Sequence, residues 1–289
     1  MSSFIKSHKN HFNFKKFIAL ALNEDTGDGD HTSLSTIPHH KKGKMQLLVK
    51  EDGIVAGVEA AKHIFKQVNP KIKVKILIED GSKVKKGDII LVIEGKVQSM
   101  LLAERLVLNI MQRMSGIASK AHFLQNLCKG TKAKVIDTRK TTPGFRFFEK
   151  WAVVIGGGTN HRYGLFDMIL IKDNHIDFAG GIIEAIEAAN HYLKQTQKKL
   201  KIEVETRSIE DVKKVIEHGK VQRIMLDNYS PEQTKKAVLL INKKFEVESS
   251  GGITEKNIAA YAKAGSDFIS IGALTHHVKS LDLSLKAMK

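Results

Sequence analysis

Almost every feature that would place this chain in an oxidising compartment or a membrane is missing. There is one cysteine, Cys128, in 289 residues. No intrachain disulfide can form, and a reducing, cytoplasmic setting is expected. No apolar run approaches the roughly 20 residues of a membrane-spanning helix. The first residues, MSSFIKSHKNHFNFKK, have no apolar core and no small-residue cleavage site, so they do not read as a secretory signal. No cysteine–histidine spacing marks a zinc finger, and no aromatic RNA-binding signature occurs. Acidic residues are outnumbered: 31 Asp and Glu against 47 Lys and Arg, a net charge of +16. Such a balance raises nucleic acid as a partner, but the lysines are spread along the whole chain. Their short clusters, at 198–201 and 243–244, read as solvated helix ends. Neither a nucleic-acid nor a membrane partner is expected. The charge suits an enzyme whose substrates carry phosphates and carboxylates.

What remains is a globular composition, 42% hydrophobic and 27% charged, long enough for two domains. Residues 11–23 have helical apolar spacing. The acidic turn after them, EDTGDGDHTS, has the Asp and Gly of a calcium loop in the wrong order, and reads as a loop in which Asp30 or Thr32 caps local structure. Strand signals dominate 44–96, with a helix over 58–68 that ends at Asn69-Pro70. The stretch EDGSKVKKGDIILVIEGKV resembles the half-barrel strand pattern of lipoyl and biotinyl carrier domains. The modified lysine with its usual flanking residues is absent, so only sheet geometry carries over. A long helix covers 99–127; within it Glu104 and Arg105 read, on the residues alone, as a local ion pair.

After Gly130 the rhythm changes. Short apolar strands are expected at 134–137, 168–171, 202–205, 223–226, 245–248 and 268–271. Helices fall between them at 182–193, 209–218, 231–242 and 254–264. The alternation is that of strand–helix units building a parallel sheet. No glycine-rich dinucleotide fingerprint comes after the first strand, which disfavours a Rossmann fold. The fold class is α/β: a mixed N-terminal domain, then a closed or nearly closed α/β barrel.

Each of these strands ends in chemistry. Thr138, Arg139 and Lys140 follow the first, and Lys172, Asp173, Asn174 and His175 the second. The third ends at Glu205 and the fourth at Asp227. Ser249, Ser250, Gly251 and Gly252 close the fifth, and Ser270, Ile271 and Gly272, with His276 beyond, the sixth. In α/β barrels the functional face lies where the strand C-termini meet. Arg139, Lys140, Arg162 and Lys172 are cations suited to carboxylates. Glu205 and Asp227 are carboxylates on neighbouring strands, able to share Mg²⁺ or hold sugar hydroxyls. The two glycine turns can bring backbone N–H groups close to a phosphate. The sum is a polycarboxylate pocket beside a metal-bound sugar phosphate, and hence a transferase or lyase acting on anionic metabolites.

These residues also carry a resemblance. DTRKTTPGFR, EKWAVVIGGGTNHRYGLFDMILIKDNH, IEVE, IMLDN, VESSGGIT and DFISIGALTHH are similar to quinolinate phosphoribosyltransferases, as are KEDGIVAG and AERLVLN nearer the N-terminus. The match runs in order through nearly the whole chain. Trp151 stands where a tyrosine is usual, and His277 where a serine is often found; neither is a family catalytic position. The resemblance implies an N-terminal α/β sandwich over 1–112, to which 277–289 return, and an open α/β barrel of the type II phosphoribosyltransferase kind over 113–276. It implies quinolinate and phosphoribosyl pyrophosphate as substrates, Mg²⁺ as cofactor, and a head-to-tail homodimer with shared sites, in some members a hexamer. Arg105 would then reach the site of a second copy, overriding the local ion-pair reading. Arg139, Arg162 and Lys172 would hold the two carboxylates, His161 would support them, and Lys140 would lie between quinolinate and pyrophosphate. Glu205 and Asp227 would take Mg²⁺ or the ribose hydroxyls. Residues 249–252 and 270–272, with His276 nearby, would take the 5′-phosphate. A related transferase with another acceptor, or a non-catalytic anion-binding protein, are the alternatives.

Overall fold

The computed structural model describes residues 3–8 and 10–288. They divide into two compact units. The first comprises residues up to His122, then Thr142–Gly157 and His277–Lys289. It opens with helices α1 (Ser3–Ser7), α2 (Phe14–Thr26) and α3 (His31–Thr36). Asp30 is the N-cap of α3, its carboxylate accepting the Ser33 N–H at 3.0 Å, so the acidic turn is a capping loop. Next come strand β1 (Lys42–Val49), the short β2 (Gly53–Ile54), helix α4 (Val58–Val68), β3 (Lys73–Ile76), the short β4 (Lys83–Val84) and β5 (Ile89–Lys96). The main sheet is antiparallel, in the order β12-β1-β5-β3, where β12 is Leu283–Ala287 near the chain's end. Alternation along β1 buries Met45, Leu47 and Val49 on one face, as expected of a sheet solvated on the other.

Helix α5 (Val97–Leu127) is unbroken across the point where the units divide. Its Ser115 and Ser119 hydroxyls accept the N–H groups of Ala56 and Ile54 at 2.9 and 2.8 Å. A side chain at Gly116 would collide with the carbonyl of Lys279, so glycine admits the returning C-terminal segment. The expected boundary between 112 and 113 falls inside this helix; the units divide ten residues later, after His122. A second difference concerns 142–157, expected in the barrel. This segment contains helix α6 (Arg146–Ile155) and belongs to the first unit. The reason is aromatic packing. Phe147 stacks on Phe12 with centroids 4.3 Å apart, and Phe148 lies 4.9 Å from Phe17. Beneath them the buried Glu149 takes Arg113 Nε at 2.8 Å and the Thr142 N–H at 3.1 Å.

The second unit comprises Phe123–Thr141 and Gly158–His276. In chain order it holds β6 (Lys134–Ile136), β7 (Ile169–Ile171), α7 (Asp173–Ala179), α8 (Ile182–Thr196), β8 (Ile202–Thr206), α9 (Ile209–His218), β9 (Arg223–Asp227), α10 (Pro231–Ile241), β10 (Glu246–Ser250), α11 (Ile258–Ala264), β11 (Phe268–Ser270) and α12 (Ala273–His276). The six strands are parallel, in the order β6-β11-β10-β9-β8-β7. The first strand thus pairs with the last, while β6 and β7 are not neighbours in the sheet. The expected open barrel is realised. Ile202, Val204, Ile224, Leu226 and Val247 turn to one face and pack on Ile182, Ile186, Val212, Val215, Ala237 and Ile241 of the helices. By the two-residue period of a strand, the opposite face carries Glu203, Glu205, Arg223, Asp227, Glu246, Glu248 and Ser250. No helix among the described residues is long and apolar enough to cross a membrane.

Candidate active site

Arg139 and Lys140 stand at the exit of β6 and are exposed. The turn that carries them is stiffened from within: the Lys140 N–H donates to Thr138 Oγ1 at 3.0 Å, and the Thr141 N–H to the Arg139 carbonyl at 2.9 Å. Thr275, buried in α12, donates its hydroxyl to the Lys140 carbonyl at 2.7 Å. A Cβ added at Gly272 would meet His276 Nε2 at 2.9 Å and Lys140 Cδ at 3.1 Å. Lys140, Gly272 and His276 are therefore in one place.

Arg139, Arg162 and Lys172 line a pocket of about 480 Å³, with Met168, Ile169, Leu170 and Ile171 of the β7 region among its apolar lining. Arg162 is half-buried, and burial, together with the neighbouring Arg139 cation, lowers its pKa. Two cations held together against their repulsion describe a site built for an anion. Arg162 Nη1 also donates to the Met168 carbonyl at 3.2 Å.

Next to this pocket lies the carboxylate pair. Lys172 Nζ is 3.8 Å from Glu205 Oε2. Burial, and next the charge of Asp227, raise the pKa of Glu205. The pair repels itself and has hard oxygen donors, so it fits a divalent cation such as Mg²⁺. Beyond it, 249–252 span the end of β10 and the turn that follows. Gly251 and Gly252 have φ of +87° and +60°, which favours glycine. Gly251 also lies so close to the Asn228 side chain that no Cβ could be accommodated without displacement. The Ser249 hydroxyl is not directed into this turn: it shares a 2.7 Å hydrogen bond with Ser266 in the interior. Ser270 Oγ is 3.4 Å from the Ser249 carbonyl, joining the two glycine turns. Arg105 is exposed on α5 in the first unit.

Several charged residues were not anticipated. Glu203, Arg223 and Glu248 are buried on the inward face of β8, β9 and β10. Arg223 Nη1 donates to Glu248 Oε2 at 3.0 Å and lies 3.9 Å from Glu203 Oε2. His161 Nε2 is 3.0 Å from Glu203 Oε2 and 3.3 Å from Glu248 Oε2. The signal for them was present: IEVET, RIMLD and EVESS alternate polar and apolar residues inside strands buried on both faces.

His161, Glu203 and Glu248 bring ligand atoms close enough together to hold a metal ion, but the histidine argues against one. Its Nδ1 accepts the Arg162 N–H at 2.7 Å, so the ring proton sits on Nε2, the atom that would have to ligate. The cation of this cluster is Arg223. Burial lowers the histidine's pKa, but the two carboxylates outweigh it and push the value up to about 9; burial, and then Glu248, push Glu203 up to about 7. Asp137, also fully buried, accepts the His161 N–H at 3.0 Å and the Asn160 amide.

Comparison with known proteins supplies the remaining finding. Residues 30–115 match the model of the quinolinate phosphoribosyl transferase N-terminal domain, and residues 117–286 that of the C-terminal domain. A chloroplastic nicotinate-nucleotide pyrophosphorylase (carboxylating) of Arabidopsis thaliana is 46% identical over 95% of this chain and 83% of its own length. A probable nicotinate-nucleotide pyrophosphorylase of Bacillus subtilis is 39% identical over 96% and 94%. Among solved structures, NadC from Streptococcus pyogenes superposes with a TM-score of 0.90 at 37% identity, over 96% of this chain and 97% of that one.

Proposed function

The chain belongs to the quinolinate phosphoribosyltransferase family, and from that premise we propose how its own residues carry the reaction. The reaction converts quinolinate and phosphoribosyl pyrophosphate to nicotinate mononucleotide, CO₂ and pyrophosphate, a step of de novo NAD biosynthesis. The observation that carries the assignment of roles is the Lys172–Glu205 contact, because it joins the cationic pocket to the carboxylate pair. A dicarboxylate held by the first faces a sugar held by the second.

Arg139, Arg162 and Lys172 grip the two carboxylates, with the apolar β7 lining beside the pyridine ring. His161 supports Arg162 from below through Nδ1. Lys140 lies towards the glycine turns and neutralises charge on both substrates. Glu205 and Asp227 would hold Mg²⁺, which when bound offsets the charge of pyrophosphate, or would orient the ribose hydroxyls. Backbone N–H groups at 250–252 and at Gly272, with His276, receive the 5′-phosphate; the Ile271 N–H is held by the Ile136 carbonyl at 3.0 Å.

The ring nitrogen of quinolinate attacks the anomeric carbon as the bond to pyrophosphate breaks, through an oxocarbenium-like state. Positioning and charge neutralisation do most of the work, and no protein nucleophile is required. The ring nitrogen now carries positive charge. It stabilises the carbanion left when the 2-carboxylate departs as CO₂, and a proton then fills that carbon.

Two chains pair head to tail in this reading, and Arg105 of a second copy completes the dicarboxylate grip. Its exposure on α5 leaves it available for that role. A dimer, or a hexamer of such dimers, in a cytoplasmic setting is the proposed working form.

A steady-state assay with quinolinate, phosphoribosyl pyrophosphate and Mg²⁺ tests the whole reading, with nicotinate as control acceptor. Nicotinate mononucleotide from quinolinate and none from nicotinate is expected. Equal use of both acceptors would remove the dicarboxylate grip from the mechanism.

A further inference from the structure

The barrel interior contains an arrangement that the reaction does not use directly. Glu203, Arg223 and Glu248 come from three neighbouring strands, and both carboxylates are fully buried. Arg223 also lies 3.9 Å over the ring of Phe268 on β11 and donates to Glu246 at 3.2 Å. Replacing such buried ions with apolar groups of similar size is often neutral or stabilising, so stability does not explain them. Geometry offers a better reason. Everything in the cluster converges on one imidazole, that of His161, which is 8% exposed. One ring nitrogen faces the two carboxylates and the other takes the main-chain N–H of Arg162.

We propose that Glu203, Glu248 and Arg223 are positioning residues for quinolinate binding, holding the His161 ring so that its Nδ1 fixes the main chain of Arg162. The inference rests on the reading of Arg162 as part of the dicarboxylate grip, and it assigns His161 an indirect role beneath the pocket. Arg162 is then located from three directions. Asp137 at the end of β6 takes the His161 N–H, the Met168 carbonyl beside β7 takes the guanidinium, and the ionic cluster fixes the ring from β8, β9 and β10. A guanidinium that must meet a carboxylate along two parallel bonds tolerates little error in its root.

The test is a double-mutant cycle read by calorimetry on the full-length protein, with quinolinate and phosphoribosyl pyrophosphate titrated separately. Glu248→Gln and His161→Ala should each weaken quinolinate binding by about tenfold or more, with phosphoribosyl pyrophosphate held within about twofold of wild type. The double variant should bind quinolinate no worse than His161→Ala alone, because Glu248 acts through the ring. Additive losses, or equal weakening of both substrates, would overturn the proposal. Arg223→Lys keeps the charge but not the fork, and guards against a Gln variant that fails to fold. It should give a smaller loss confined to quinolinate, and no loss would count against the assembly. Wild-type protein that binds phosphoribosyl pyrophosphate but not quinolinate would overturn the functional reading itself, a result distinguishable from failure of the cycle.

Discussion

Replacing Asp227 with Asn should make the protein more stable and far less active. Glu205 and Met225 are register partners across β8 and β9, so Asp227 lies two residues further along the neighbouring strand. Carboxylates so placed are ~7 Å apart. At an effective dielectric of about 20–40, like charges at that distance repel by roughly 1–2 kcal/mol. The raised pKa of Glu205, caused by burial and then by Asp227, records the same repulsion. The Asn228 amide donates to Asp227 at 2.6 Å. Weakening that exposed bond should offset about 0.5 kcal/mol of the gain. The net is ~1 kcal/mol, or an increase in Tm of about 1.5–2 °C for a protein of this size. Asparagine cannot supply the charge that Mg²⁺ or the ribose needs, and kcat/KM should fall by about 10²–10³-fold. Thermal unfolding in a Mg²⁺-free buffer and the steady-state assay read the two effects independently. A variant that loses Tm along with activity would show that Asp227 supports the fold, and the carboxylate-pair argument would fail.

Other outcomes rest on the same geometry. Arg139→Met or Lys172→Met should lower kcat/KM for quinolinate by about 10²-fold or more, with Tm within about 2 °C of wild type; near-normal turnover in either would remove that residue from the grip. Gly251→Ala places a side chain at φ +87° and against Asn228. It should cost about 1–2 kcal/mol of stability and raise KM for phosphoribosyl pyrophosphate rather than for quinolinate. Equimolar mixing of inactive Arg105→Ala and Lys140→Ala proteins should restore about a quarter of wild-type activity if sites are shared between two copies; no recovery after exchange would confine the site to one chain. Glu51 is held below the usual carboxylate range by the Asp282 N–H and then by Lys279. Its contribution is present above its unfolded pKa and is lost as pH falls through the lowered value. Proteolysis near 279–283 should therefore increase on acidification in wild type and already be raised at neutral pH in Glu51→Gln.

The strand ends were legible in the sequence because polar residues there interrupt short apolar runs, and α9 spans the expected residues 209–218. Less was visible where the physics is not periodic. The α6 sequence, RFFEKWAVVI, buries Glu149 and Lys150 as fully as Phe148, so no polar stripe announces a helix. Its membership of the first unit depends on contacts with Phe12 and Phe17, more than a hundred residues away. The buried ionic cluster is harder to read than the strand ends, because its charges lie within the strands and not at their C-termini. The alternation within IEVET and EVESS holds the information, but a buried Glu only makes sense once Arg223 is seen opposite it.

The strand orders have a consequence for synthesis. β6 is made before β7–β10 but its neighbour is β11, and β1 is made near the start while β12, its edge partner, comes after the entire barrel. Neither sheet can be completed until its late strand, β11 or β12, has been made. A nascent chain stopped short of residue 283 would present β1 as a bare edge, an open template for pairing with another chain. Termination before β12 should therefore produce aggregates in place of a soluble fragment.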